Sequence, residues 1–180
     1  MEPWYSKVGR IILRSVLFRI AVFAVLGLFG YSQVSESGKD DSTRSETGEV
    51  IESGVVGVEV LKIGDCVQLP PEYEELAPTE TTSIASMVAV PCTELHDAEL
   101  YSMKTLNLSE YPGEDALYGE LSDFCVDDYL AYTGAEFDTS SPHGINPIIP
   151  LEEGWIDGDR VIQCLAVMKN GEQLGATIKN

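Results

Sequence analysis

Hydrophobic positions divide the chain into three regimes. From Val16 to Val34 they are nearly continuous, with Ile20 to Phe29 unbroken by any charge. From Ser35 to Gly54 they almost vanish, and from Val55 onward they recur at strand and helix spacing. The first regime is 19 residues long, close to the roughly 20 needed to cross a bilayer. Arg19 sits near its start, where the long stem can carry its charge to the headgroups. The rival, a cleaved secretory signal, has only Gly30-Tyr31-Ser32 as a small-x-small triplet. The second regime, rich in Ser, Gly, Asp and Glu, has little to bury and is expected to be a disordered spacer.

The third regime predicts one domain of alternating elements. Val56 to Leu61 reads as a strand, punctuated by Gly64-Asp65. Leu69 to Thr82, with Pro70 and Pro71, reads as a loop; Ile84 to Val90 is a second apolar run, and Ala98 to Met103 alternates as a strand. After Tyr111-Pro112-Gly113 comes the clearest helix, with Leu117, Tyr118, Leu121, Phe124, Cys125, Tyr129 and Tyr132 on one face. Pro112 suits its first turn and Gly134 its stop. Ala135 to Asn146, including His143, reads as a surface loop, and Pro150 to Trp155 as a short helical turn before Asp157-Gly158-Asp159. Arg160 to Met168 predicts a buried strand, Asn170-Gly171 a hairpin turn and Leu174 to Ile178 a last strand. The expected fold is α+β: an N-terminal membrane helix, then a mainly antiparallel sheet packed on one principal helix.

Charge sets the orientation. Lys7, Arg10, Arg14 and Arg19 precede or enter the apolar run, against Glu2 alone. Beyond it lie seven cations and 29 acids, a net −22 within a chain total of −19. A basic head stays inside and the remainder is exported. The expected organisation is a cytoplasmic head at 1–15, a signal anchor at 16–34, an acidic linker at 35–54 and an extracytoplasmic domain at 55–180. Such a negative domain repels phosphates, so no nucleic acid partner is expected.

Cys66, Cys92, Cys125 and Cys164 all lie in the exported part, where an even count predicts two disulfides. Of three pairings, Cys66–Cys92 with Cys125–Cys164 is favoured, because the second bridge would staple the helix to the central strand. No Cys-x-x-Cys pair suggests zinc or thiol oxidoreductase chemistry.

One cluster offers site chemistry: Glu94, His96, Asp97 and Glu99. It supplies a single imidazole and carboxylates, which supports a metal-dependent binder or enzyme only by local spacing; the plainer reading has His96 fixing its loop by hydrogen bonds to backbone. No metal, cofactor or catalytic residue is assigned. There is no Gly-x-Ser-x-Gly, and 29 acids make any glycosidase-like pair uninformative. Trp155 is a candidate binding aromatic, although its Leu151 and Ile156 neighbours suit a core position.

These landmarks resemble the septum formation family of bacterial envelope proteins: Gly64-Asp65-Cys66, then Val90-Pro91-Cys92 with His96 and Glu99, then Tyr111-Pro112-Gly113, Pro150, Trp155 and Gly158-Asp159-Arg160 before Cys164. Leu95 stands where the family usually has proline. The resemblance implies an extracytoplasmic domain behind a single anchor helix and a link to cell division. It implies no catalytic activity. The expectation is a non-enzymatic interaction module whose partners are envelope or cell-division proteins, membrane-bound or released after signal cleavage.

Overall fold

The computed structural model describes residues 38–70 and 83–180. The expected head and anchor, the start of the linker and most of the proline-led loop lie outside them. No helix among the described residues is long and apolar enough to cross a membrane.

Strands β1 (Thr43–Arg44) and β2 (Val50–Glu52) form a small antiparallel hairpin. The main sheet is antiparallel and runs β3-β5-β4-β6-β8-β7. Its strands are β3 (Gly54–Gly57), β4 (Cys66–Gln68), β5 (Ser86–Val90), β6 (Ala98–Thr105), β7 (His143–Ile148) and β8 (Val161–Met168). Helices α1 (Glu114–Thr133) and α2 (Glu152–Ile156) complete the expected α+β arrangement.

The sheet is covered on both faces. Tyr101, Ile162, Cys164 and Ala166 pack against Leu117, Leu121, Cys125 and Tyr129 of α1. Ala98, Leu100 and Leu165 turn to the opposite face and join Val56, Leu61, Val67 and Met87. Double coverage explains why Ala98 to Ser102 and Ile162 to Ala166 are buried without a break. The α1 stripe follows the i+4 row, so Tyr118, one residue further round, is 47% exposed rather than in the core. Gly113, at φ 88°, occupies the N-cap, which puts Pro112 before the first turn rather than in it. Gly134 closes the helix in the left-handed region (φ 71°), its N–H donating to the Leu130 carbonyl. Both favoured disulfides are present, Cys66–Cys92 and Cys125–Cys164.

Four local expectations are corrected. Strand pairing ends at Gly57, and Val58–Val60 is a 3₁₀ turn. Its β-branched residues suit a strand, but the Val58 carbonyl is taken by the Gln163 side chain at 2.6 Å. The supposed loop before Asn146 becomes β7 from His143 on, an edge strand that tolerates Pro147. The expected last strand contributes one bridge, His96 to Leu174, after which the chain crosses to a buried carboxylate. The expected spacer is ordered from Gly38: Asp41 N–H donates to the Val55 carbonyl and Gly57 N–H to the Lys39 carbonyl. A Cβ at Gly54 would stand 2.4 Å from the Asp41 backbone, so glycine permits this approach.

His143 is half-buried rather than superficial, and its Nδ1 is hydrogen-bonded to the Tyr129 hydroxyl at 2.6 Å. Burial, with help from Lys169, lowers the His143 pKa below its ordinary 6.5 while Glu99 opposes. The folded state therefore prefers neutral imidazole. Its contribution is fully present above the unfolded value and is lost as pH falls from 6.5 through the lower folded value. Urea melts should show wild type losing stability over that window more steeply than His143→Asn; parallel curves would refute it.

Candidate functional site

Cys66 in β4 lies directly across from Glu99 in β6, so both side chains leave the sheet on the α1 face. His96 precedes β6 and is locked by a reciprocal backbone pair with Leu174, at 3.0 and 2.8 Å. A His96 ring nitrogen, the Cys66 sulfur and a Glu99 carboxylate oxygen all lie within 4.8 Å of one another, and all three residues are fully buried.

The Glu99 carboxylate is held from three sides. Tyr132 and Thr177 hydroxyls donate to Oε1 at 2.7 Å, and the Ile178 N–H donates to Oε2 at 2.7 Å. Those bonds draw the end of α1 and the segment after Leu174 onto one buried charge, as such a charge requires. Burial, then the bond to Glu99, raises the Tyr132 pKa, so the hydroxyl stays a donor.

His96 has one satisfied nitrogen. Its Nδ1 is 2.8 Å from the Glu94 carbonyl, which can only accept, so Nδ1 carries the proton. Nε2 is buried without a hydrogen-bond partner among the described residues. The loop-fixing reading of His96 thus holds for half of the ring.

Beside this triplet the Gly64-Asp65 turn is clamped from the hairpin. Arg44 grips Asp65 with two parallel bonds, 2.6 and 2.8 Å, and reaches Asp40 through Nε at 2.6 Å. Asp65 is 3% exposed and also receives the Lys62 N–H at 2.9 Å. With Gly64 at φ 97°, this tight turn delivers Cys66 into β4.

A cleft of about 950 Å³ opens over the Cys66–Cys92 bridge. Its walls come from the hairpin, the Lys62–Asp65 turn, the loop at Cys92 and residues 175–179. Ile51 and Ile63 present apolar surface there, each 54% exposed. Lys62 and Lys179 line it without an ion pair among the described residues.

The candidate cluster is therefore rearranged. His96 and Glu99 come together, but the exposed Glu94 contributes only its carbonyl, and its carboxylate is not among the gathered ligand atoms. Asp97 is structural: it accepts from Leu69 N–H at 2.8 Å and from Gln173 at 2.9 Å. Trp155 is 5% exposed, edge-on to Tyr111, with the Arg160 guanidinium 3.8 Å from its ring centre. It belongs to the core and does not line the cleft. Reasoning from the sequence missed Arg44, Tyr132 and Thr177 as contributors. Only Tyr132, on the predicted helix face, left a usable signal.

No curated protein and no solved structure matches the chain. The family model for septum formation matches residues 32–164, which include the hairpin, both disulfides, His96, Glu99 and Trp155. On that match over most of its length, with the Gly-Asp-Cys turn and both bridges in place, the chain belongs to the septum formation family.

Proposed function

We propose that this protein is a membrane-tethered extracytoplasmic interaction module that receives a segment of an envelope or cell-division protein in the cleft over Cys66–Cys92. Family membership supports a role related to septum formation. The basic head and apolar run support the tether and its orientation. The observation that carries the docking reading is the cleft itself, where exposed Ile51 and Ile63 share the lining with Lys62 and Lys179, neither of which makes an ion pair among the described residues. These are two of only seven cations beyond the apolar run. The cleft lining sets Lys62 and Lys179 against Glu49 and Asp65, so it carries no net charge in a strongly acidic domain, and it suits a neutral or acidic segment that such a domain repels elsewhere. Docking in this reading needs no catalytic residue, and the module is not an enzyme.

The test is imaging in dividing cells with a fluorescent tag, joined after Asn180, that matures outside the membrane. Wild type should concentrate at the division site. The Ile51→Glu/Ile63→Glu variant, altered only at exposed positions, should spread uniformly. A uniform wild-type signal, or a variant that still concentrates, overturns the reading.

A further inference from the structure

The two disulfides occupy opposite environments. Cys125 and Cys164 are 1% and 0% exposed, surrounded by Leu117, Leu121, Tyr129 and Ile162. Cys92, by contrast, is half-exposed on the wall of the cleft, while its partner Cys66 is fully buried beside the His96 ring and Glu99. Cys92 is the partly exposed member of the bridge; the sulfur of buried Cys66 lies within 4.8 Å of a His96 ring nitrogen, and the Nε2 of that ring has no hydrogen-bond partner among the described residues.

Thiol–disulfide exchange needs this asymmetry. A thiolate attacks an accessible sulfur, and the reaction is faster when the departing thiolate is stabilised. We propose that Cys66–Cys92 is an exchange site, at which a cysteine thiol presented by the protein docked in the cleft forms a reversible covalent bond to Cys92. The incoming sulfur attacks Cys92 Sγ, the Cys66–Cys92 bond breaks, and Cys66 leaves with the electron pair. The proton of the incoming thiol ends on the Cys66–His96 pair, as S–H donating to Nε2 or as thiolate beside imidazolium. No external oxidant is required, because the disulfide is exchanged for a mixed disulfide. Return attack by Cys66 releases the partner unchanged.

Glu99 decides why His96 is needed. A bare Cys66 thiolate would share a dry pocket with that carboxylate, and like charges there are costly. A thiolate–imidazolium pair adds no net charge, and the imidazolium is attracted to both anions. Opening the bridge also gives the orphaned Nε2 the hydrogen bond that the closed form denies it. His96 is a positioning and proton-accepting residue in this scheme, and Cys92 is the reacting atom's carrier.

This inference rests on the docking reading of the cleft, but its test does not require a docked protein. Purified full-length chain is treated with limiting dithiothreitol under native conditions, quenched by alkylation and mapped by peptide mass. Cys66–Cys92 should open about tenfold or more faster than Cys125–Cys164. With 2-mercaptoethanol as a monothiol probe, the first mixed disulfide should lie on Cys92, with Cys66 alkylated. His96→Gln should slow opening of Cys66–Cys92 by about tenfold and leave the rate at Cys125–Cys164 unchanged. A purely structural His96 would instead loosen the fold and speed both. Equal rates at the two bridges in wild type, a first adduct on Cys66, or acceleration of both bridges by His96→Gln each overturns the proposal. The wild-type comparison decides even if the variant does not fold. Failure here with Ile51 and Ile63 still required for localisation would sink the exchange and leave the docking reading standing.

Discussion

Arg44→Ala should cost the domain about 3–5 kcal/mol, the scale for leaving a buried carboxylate without its partner. Asp65 is 3% exposed, and the Arg44 side chain that holds it is only 11% exposed, so solvent screens the pair weakly. The alanine variant strands the Asp65 charge, drops the Arg44 bonds to Asp40 and the Gly48 carbonyl, and frees the hairpin from the Gly64-Asp65 turn. Urea denaturation is the measurement. A second substitution identifies the cause: Asp65→Asn in the Arg44→Ala background should restore part of the loss, because a neutral amide no longer needs a cation. A single variant within 1 kcal/mol of wild type, or no recovery in the double variant, would show that water reaches Asp65 freely.

The second large effect is the loss of the core bridge. Cys125 and Cys164 are 39 residues apart, and the loop-entropy relation assigns such a closure about 4 kcal/mol. Cys125→Ala/Cys164→Ala should lose at least that much, since it also removes two buried sulfurs from a packed interface between α1 and β8. Cys66 and Cys92, 26 apart, rate slightly less, about 3.5 kcal/mol. Because Cys92 is half-exposed, less packing is lost with it. Thermal or urea melts of the two alanine pairs should therefore rank the core pair as the more damaging. The reverse order would mean that the cleft bridge, and not the helix staple, organises the fold.

What could be read from the sequence follows from what carried each element. Apolar periodicity carried α1, β6 and β8, and these appear where expected, together with both disulfides. The hairpin was invisible because almost nothing apolar holds it: one arginine reaches 21 residues ahead to Asp65, and hydrophobic periodicity carries no sign of such a pairing. Val58 and Val60 suggested a continuing strand, yet a side-chain amide 105 residues away fixed the 3₁₀ turn. At the site, His96 and Glu99 were legible as a motif, but their companions were not. Strand alternation would put His96 and Glu99 on opposite faces; His96 precedes β6, so the rule does not apply to it. Thr177 and Ile178 reach Glu99 from a segment without strand pairing, where period-two logic has nothing to say.

The close approach of residues 39–41 to β3 has a consequence for how copies of this protein meet. Without that cover, β3 is the outermost strand of the sheet, with Val55 already 47% exposed and its backbone groups turned outward. Such a margin invites a strand from a neighbouring molecule, the first step of end-to-end polymerisation. The short run Lys39-Asp40-Asp41 therefore works as a gatekeeper: its own backbone fills the pairing positions, and its carboxylates are tied into ion pairs with Lys39 and Arg44 that hold it there.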